Sequence, residues 1–130
     1  MAHILVLDDV PEAGVLVQKI LAKKGHRVVA FTEEEAALAY ARNNRVDLAI
    51  LDLRLRQMSG IEVLAELKKT APAMRAIMLT GYPTAQTARQ ARKLGANDYC
   101  SKPIGKEELE EKVSAVIGAN GTPPSGRAGE

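Results

Sequence analysis

The chain is organised as five units, each a short apolar segment followed by a stretch with helical periodicity. The first segment, residues 4–7, is continuous and rich in branched residues, which is typical of a strand buried on both faces. These predicted strands cover residues 4–7, 27–31, 48–51, 76–79 and 97–100. Because helical crossovers join parallel strands, the pattern predicts an α/β fold with a parallel sheet between two layers of helices.

The helices between these strands are marked by capping residues and by apolar positions three and four residues apart. Thr32 with Glu35, and Ser59 with Glu62, have the spacing of capping boxes and predict two helix starts. The other helices are predicted over residues 12–24, 84–94 and 106–117.

Length and composition indicate one globular domain, predicted over residues 1–118. From residue 119 the sequence ANGTPPSGRAGE predicts a flexible tail or a truncated linker. The formal charge is only +2 and Lys and Arg form no dense block, so we expect no direct nucleic-acid binding. The apolar segments are too short to span a membrane. A single cysteine, Cys100, is consistent with a reducing cytoplasm.

Polar residues follow four of the five predicted strands. Asp8 and Asp9 follow the first strand, Asp52 the third, and Thr80 the fourth, and Lys102 comes shortly after the fifth. In an open parallel α/β sheet, ligands bind at the carboxyl ends of the strands. A single polar residue at such a place is often only a helix cap. Five at one edge of the sheet favour a functional site.

The chemistry of this set follows from its charge. Three carboxylates close together require a cation, and hard oxygen ligands with room for water suit Mg²⁺, with Mn²⁺ as an alternative. Lys102 supplies a second positive charge. A carboxylate between a divalent ion and a lysine can act as a nucleophile toward phosphorus, which gives an aspartyl phosphate. Thr80 could donate a hydrogen bond to a phosphoryl oxygen.

The segments LVLDD, LAILDL, MLTG and DYCSKP together resemble the receiver domain of bacterial two-component response regulators. The resemblance covers residues 3 to about 118, with all motifs in order. It implies a flavodoxin-like (βα)5 fold with strand order 2-1-3-4-5. It also implies that Asp52 accepts a phosphoryl group from a histidine kinase and that Asp8 and Asp9 bind Mg²⁺. The backbone carbonyl of Arg54 is expected to complete the metal site.

The resemblance further implies a conformational switch. Thr80 and Lys102 would contact the phosphoryl group, Thr80 would move toward it, and Tyr99 would turn inward. The response is expected on the surface of the fourth helix, fifth strand and fifth helix. A half-buried strand aromatic is the plain structural alternative for Tyr99. The Lys102–Pro103 peptide bond is expected to be cis, as in the family.

Two features depart from the family pattern. Arg56 stands where a proline is usual, so the loop after the acceptor is expected to be less rigid. Arg54 and Tyr82 are bulky residues at positions that flank the phosphoryl group. We expect them to slow the in-line approach of water and to lengthen the phosphoryl lifetime. The chain is not expected to be an enzyme, although it would catalyse its own phosphorylation and a slow autodephosphorylation.

Other functions fit the sequence less well. A phosphatase of the haloacid dehalogenase type needs a second aspartate where Arg54 stands. A flavodoxin-like FMN binder would have its phosphate repelled by Asp8 and Asp9. The phosphate-binding loop GxxxxGK[ST] of nucleotidases does not occur in the sequence. A degenerate receiver would be expected to have lost one of the five site residues.

The resemblance implies partners on both sides of the reaction. A sensor histidine kinase or a phosphotransfer protein would supply the phosphoryl group, and a downstream protein or output domain would read the switch. The tail fits a stand-alone relay and equally the receiver part of a longer DNA-binding or enzymatic regulator. A monomer and a phosphorylation-dependent homodimer both remain open.

Overall fold

Five parallel strands form one sheet in the order β2-β1-β3-β4-β5 in the computed structural model of the chain. The structure describes residues 1–55 and 58–118. The expectation about Arg56, and that of a flexible tail over residues 119–130, lie outside the described residues. The strands are β1 (His3–Leu7), β2 (Arg27–Phe31), β3 (Leu48–Leu51), β4 (Arg75–Thr80) and β5 (Asp98–Ser101).

Five helices alternate with these strands, so the predicted (βα)5 architecture and strand order are confirmed. The helices are α1 (Pro11–Ala22), α2 (Glu34–Asn43), α3 (Gly60–Thr70), α4 (Ala85–Lys93) and α5 (Lys106–Ile117). The bounds of β2, β3 and α5 are those predicted, and α3 begins directly after its predicted cap, Ser59. The other predicted bounds differ by one or two residues, as helix and strand ends commonly do.

The core has two layers, one on each face of the sheet. Within β1, Leu5 and Leu7 pack with α2, α3 and α4, whereas Ile4 and Val6 pack with α1 and α5. Successive side chains of a strand point to opposite faces, so a strand covered on both sides has to be apolar throughout. Helix α4 contributes only one buried residue, Ala91, to this core.

One predicted capping box is confirmed and the other is wrong. Ser59 Oγ accepts a hydrogen bond from the Glu62 amide at 3.2 Å, and the Glu62 carboxylate accepts one from the Ser59 amide at 2.9 Å. Thr32 is not the cap of α2, because the helix begins one residue later, after Glu33, which makes no side-chain capping bond. Glu34 instead accepts a hydrogen bond from the distant amide of Met58, so a tertiary contact is made where a local cap was expected.

The ladder of backbone hydrogen bonds continues past the ends of the strands. The Asp8 amide donates to the Phe31 carbonyl at 3.1 Å, and the Asp52 amide donates to the Leu7 carbonyl at 3.0 Å. The Lys102 amide donates to the Thr80 carbonyl at 2.7 Å. These bonds hold the polar residues that follow the strands at one edge of the sheet.

Candidate functional site

The three aspartates predicted as a cluster do converge. Asp8, Asp9 and Asp52 each have a carboxylate oxygen within 4.8 Å of the other two. Asp8 and Asp52 are 5% and 9% exposed, and Asp9 is half-buried. Negative charge is therefore concentrated where little water can screen it, a situation that favours a bound cation.

Lys102 lies against two of these aspartates. Its Nζ atom is 2.6 Å from Asp8 Oδ2 and 3.6 Å from Asp52 Oδ2. The other carboxylate oxygen of Asp8 accepts a hydrogen bond from the Val10 amide at 3.0 Å, next to the start of α1. Asp8 is thus held by a cation on one side and by the backbone on the other. Among the described residues, Lys102 is the one cation in an ion pair with these aspartates, and its single charge does not balance their three.

The surroundings of Asp52 disfavour its ionised form. Burial raises the pKa of its carboxyl group, and the nearby negative charge of Asp8 acts in the same direction. The Lys102 charge and hydrogen bonds from the backbone at Leu53 and Arg54 oppose this rise in pKa without cancelling it. A further cation beside Asp52 would lower this pKa and so favour the ionised form, which is the nucleophilic one.

The pKa of Lys102 is raised, which keeps the ammonium charged at neutral pH. Burial alone would lower the pKa, but the hydrogen bond to Asp8 and the negative charges of Asp52 and Asp8 outweigh burial. Lys102 is therefore a fixed positive charge on the edge of the site, available to an anion that enters.

An open cleft of about 450 Å³ lies over the cluster. Its walls include Asp9, Asp52, Arg54, Tyr82 and Lys102. Three carboxylates and a cleft with room for water are the donor set that Mg²⁺ prefers, because this ion keeps several water ligands. The residues present therefore fit a magnesium ion, and Arg54 lies in the cleft wall beside them.

Thr80 is fully buried at the end of β4, at the same edge of the sheet. Its hydroxyl oxygen accepts a hydrogen bond from the Tyr82 amide at 3.0 Å. The hydroxyl is thus used in a local turn of the β4–α4 loop. The O–H group of Thr80 is still a donor, because this bond uses only a lone pair of its oxygen.

Arg54 and Tyr82 contact each other across the mouth of the cleft. The guanidinium carbon of Arg54 lies 4.0 Å from the centre of the Tyr82 ring, which is a cation–π contact. Both side chains are exposed. Sequence reasoning placed both residues beside the site but gave no sign that they touch. The contact joins the loop after β3 to the loop after β4.

Tyr99 connects β5 to the start of α4. Its hydroxyl lies 2.6 Å from Thr87 Oγ1 and accepts a hydrogen bond from the Thr84 amide at 3.2 Å. Thr84 in turn caps α4 by accepting a hydrogen bond from the Thr87 amide. Sequence reasoning missed Thr84 and Thr87 as the hydrogen-bond partners of Tyr99. The capping position of Thr84 was visible in the sequence, but its link to Tyr99 was not.

The sequence of the chain matches the model of a known protein family. The model described as the response regulator receiver domain matches residues 4–114, which is most of the chain. This chain belongs to the response regulator receiver family. The receiver's site residues, from Asp8 to Lys102, all lie within the matched segment.

The receiver matches part of longer proteins as well as isolated domains. The transcriptional regulatory protein ZraR of Salmonella typhimurium is 33% identical over 114 residues, which are 88% of this chain and 26% of that protein. The probable transcriptional regulatory protein TcrX of Mycobacterium tuberculosis is 30% identical over 118 residues, 91% of this chain and 50% of that protein. The receiver therefore spans between a quarter and a half of these relatives.

Solved receiver structures share the fold closely. A CheY-like receiver domain protein from Methanospirillum hungatei has a TM-score of 0.87 and 30% identity, covering 90% of this chain and 94% of that chain. A response regulator protein from Burkholderia pseudomallei, solved with a phosphorylated aspartic acid, calcium ion and citrate, has a TM-score of 0.81 and 30% identity. It covers 93% of this chain and 69% of that chain.

The remaining expectations about the receiver's site can be placed in the structure. The Lys102–Pro103 peptide bond is cis, as the resemblance implied. Pro103 lines a separate apolar hollow of about 410 Å³ that reaches Asp8 and Lys102.

In the described part of the chain, no helix has the length and apolar character needed to cross a membrane.

Proposed function

We propose that this receiver accepts a phosphoryl group on Asp52 and signals through the change in charge that results. The observation that carries the proposal is the placement of Asp52 between the Asp8 and Asp9 carboxylates and the Lys102 ammonium, in an open cleft. The donor would be a phosphohistidine of a sensor histidine kinase or of a phosphotransfer protein. The Burkholderia pseudomallei relative, solved with a phosphorylated aspartic acid, supports the same chemistry here.

The transfer is a substitution at phosphorus. A carboxylate oxygen of Asp52 forms a bond to the phosphorus atom while the bond from phosphorus to the imidazole nitrogen of the donor breaks. The electron pair of that bond stays on the imidazole, which takes up a proton and leaves. The Lys102 ammonium balances charge on the phosphoryl oxygens, since it already lies 3.6 Å from Asp52. Thr80 would donate a hydrogen bond to one of these oxygens after leaving the Tyr82 amide.

Asp8, Asp9 and Asp52, with the backbone carbonyl of Arg54, are the groups that would hold a magnesium ion. Bound there, the ion would balance the negative charge of the carboxylates and of the phosphoryl group. Mn²⁺ also prefers oxygen ligands and would serve as a substitute. The receiver is not proposed to turn over a separate substrate, because its own aspartate is consumed until water removes the phosphoryl group.

The contact between Arg54 and Tyr82 supports a long phosphoryl lifetime. Water must approach phosphorus in line with the bond to Asp52, and this contact closes part of the cleft mouth. Autodephosphorylation is therefore proposed to be slow.

The signal is proposed to pass from Thr80 to the surface formed by α4, β5 and α5. When Thr80 turns to the phosphoryl group, the Tyr82 amide loses its acceptor, and the loop that leads to α4 has to change. Tyr99 is bonded to both Thr84 and Thr87 at the start of that helix, so its position would change with the loop. Phosphorylation would shift the population between two arrangements.

The proposed partners rest on two observations, namely exposed apolar residues near the site and the greater length of the relatives. Exposed apolar residues close to the site, Val10 and Leu16 among them, offer a docking surface for the phosphodonor protein. The regulators ZraR and TcrX are longer than this chain, which supports an output domain as the downstream partner. A separate downstream protein is the alternative. The receiver is proposed to act in the cytoplasm, as a monomer or as a phosphorylation-dependent homodimer, without contacting nucleic acid itself.

Acetyl phosphate, a small phosphodonor, tests the proposal directly. The protein is incubated with acetyl phosphate, with and without Mg²⁺, and its intact mass is followed over time. We expect one phosphoryl group to be added in the presence of Mg²⁺ only, and none in the Asp52→Asn variant. Equal labelling of Asp52→Asn and the wild type would overturn the assignment of Asp52. Labelling without Mg²⁺ at the same rate would overturn the role given to the metal.

A further inference from the structure

Glu34 is a buried carboxylate that lies outside the aspartate cluster. It is the first residue of α2 and is 5% exposed, whereas its neighbours Glu33 and Glu35 are exposed. A carboxylate is rarely buried unless a specific partner holds it. One partner is the Met58 backbone amide, which donates a hydrogen bond to Glu34 Oε2 at 3.1 Å. This bond joins α2 to the loop that follows Asp52.

The start of α3 is hydrogen-bonded to the residue that follows Asp52. The Gly60 amide donates to the Leu53 carbonyl at 2.8 Å, which closes the loop on itself. A side chain at Gly60 would collide with the Asp52 carbonyl oxygen, so α3 begins directly against the backbone of the acceptor. Met58 is therefore two residues from Gly60, and the Gly60 amide is bonded to Leu53, the residue next to Arg54.

We propose that Glu34 is a positioning residue, whose carboxylate fixes Met58 and, through the bond from Gly60 to Leu53, holds the neighbouring Arg54 carbonyl in place for the metal. The inference rests on the proposed function, since it gives Glu34 a role in building the same metal site. Its basis is separate, namely the bond from Glu34 to Met58 and the closure of the loop at Gly60. Groups that orient metal ligands from behind commonly change metal affinity about tenfold or more when they are removed.

The chain offers a matched control in Glu35. Glu35 is in the same helical turn as Glu34 and carries the same charge, but its side chain is exposed. Comparing Glu34→Ala with Glu35→Ala separates the loss of the contacts of the buried carboxylate, the bond to Met58 among them, from the loss of one negative charge. Glu34→Gln provides a conservative variant, because its amide oxygen can still accept a hydrogen bond from Met58.

The experiment has one readout without metal and one with metal. Hydrogen exchange of the Met58 amide is measured by NMR in the metal-free protein, and Mg²⁺ affinity is measured by titration of amide shifts. For Glu34→Ala we expect Met58 exchange to be about ten times faster and the Kd for Mg²⁺ to rise about tenfold. Glu34→Gln should recover most of both effects, and Glu35→Ala should change each by less than about twofold. If Glu34→Ala lowers only the free energy of unfolding and changes neither readout, Glu34 stabilises the fold but does not position the metal site.

The outcomes also separate this inference from the proposed function. If the wild type binds Mg²⁺ but takes no phosphoryl group from acetyl phosphate, the proposed function fails and the comparison of Mg²⁺ affinities still decides the role of Glu34. If Glu34→Ala matches Glu35→Ala in Met58 exchange and in Mg²⁺ affinity, the inference is overturned while the proposed function stands. A wild type that binds no Mg²⁺ would overturn both.

Discussion

The Lys102 ammonium lies 2.6 Å from Asp8 and 3.6 Å from Asp52, so two buried carboxylates share one positive charge. Asp9 adds a third carboxylate within reach of the other two. Among the described residues, the ion pairs of Lys102 leave these three carboxylates with more negative than positive charge. We expect this imbalance to link the stability of the protein, its affinity for metal and its reactivity toward phosphorus.

Removal of the Asp52 charge should stabilise the metal-free protein. The pKa of Asp52 is raised in the folded state, mainly by burial, so its ionised form is less favourable there than in the unfolded chain. This unfavourable contribution is present above the folded pKa and disappears as the pH falls below the unfolded pKa. We expect Asp52→Asn to raise the free energy of unfolding at pH 7, because the amide has no charge to bury. Urea denaturation of both proteins at several pH values measures this change in the free energy of unfolding.

The gain from Asp52→Asn should shrink as the pH is lowered, because the wild-type carboxyl group then becomes protonated. Glu35→Gln removes one exposed charge and serves as the control, with an expected change close to zero. A loss of stability in Asp52→Asn at neutral pH would show that its ion pair with Lys102 outweighs burial.

Magnesium should stabilise the folded protein. A ligand that binds only the folded state at ten times its Kd adds about 1.4 kcal/mol to the free energy of unfolding. Asp9→Asn should lose most of this gain, because it removes one of the proposed ligands of the ion. The gain should also fall at acid pH, since the carboxylates must be ionised to bind metal. Thermal unfolding with MgCl₂, against NaCl of equal ionic strength, measures it. Equal stabilisation by both salts would contradict a specific metal site.

Replacement of Arg54 and Tyr82 by alanine should shorten the phosphoryl half-life. The two side chains form one contact over the cleft, so either single variant should lose much of the effect of the double variant. We expect the half-life to fall several-fold, which corresponds to about 1 kcal/mol in the barrier to hydrolysis. Loss of labelled phosphate after removal of the donor gives the rates. Arg89→Ala, on exposed α4, is the control, and an unchanged half-life in the double variant would refute the role of the contact.

The hydroxyl groups of Tyr99 and Thr87 should be energetically coupled. They lie 2.6 Å apart, and a hydrogen bond of this kind contributes about 0.5 to 1.5 kcal/mol. A double-mutant cycle of Tyr99→Phe and Thr87→Val, measured by urea denaturation, isolates that contribution. The amide shifts of α4 should change in the same direction in both single variants. Strict additivity of the two single effects would show that the hydroxyl groups do not interact.

The aspartate cluster could be predicted from the sequence because it depends on the topology of a parallel sheet. Asp8, Asp52 and Thr80 follow buried strands, and the carboxyl ends of parallel strands share one edge. The capping box of Ser59 and Glu62 could be predicted for a different reason, since all of its atoms lie within one helical turn.

The remaining contacts could not be predicted because they join residues far apart in the chain. The cation–π contact of Arg54 with Tyr82 depends on how two loops face each other. The predicted capping box of Thr32 and Glu35 is not formed. Glu34 lies in the first turn of α2, where an exposed acid is common, but its carboxylate instead contacts the Met58 amide. Local propensity gave no sign of this contact, since tertiary packing decides where such a side chain lies.

Chemical trapping of the phosphorylated residue tests the central claim most directly. An acyl phosphate is reduced by borohydride, which converts a phosphorylated aspartate to homoserine and leaves free aspartates unchanged. After treatment with acetyl phosphate and Mg²⁺, peptide mass spectrometry should find homoserine at position 52 and aspartate at positions 8 and 9. Homoserine at position 8 or 9, or its absence from position 52 in a protein that has gained a phosphoryl group, would contradict the account.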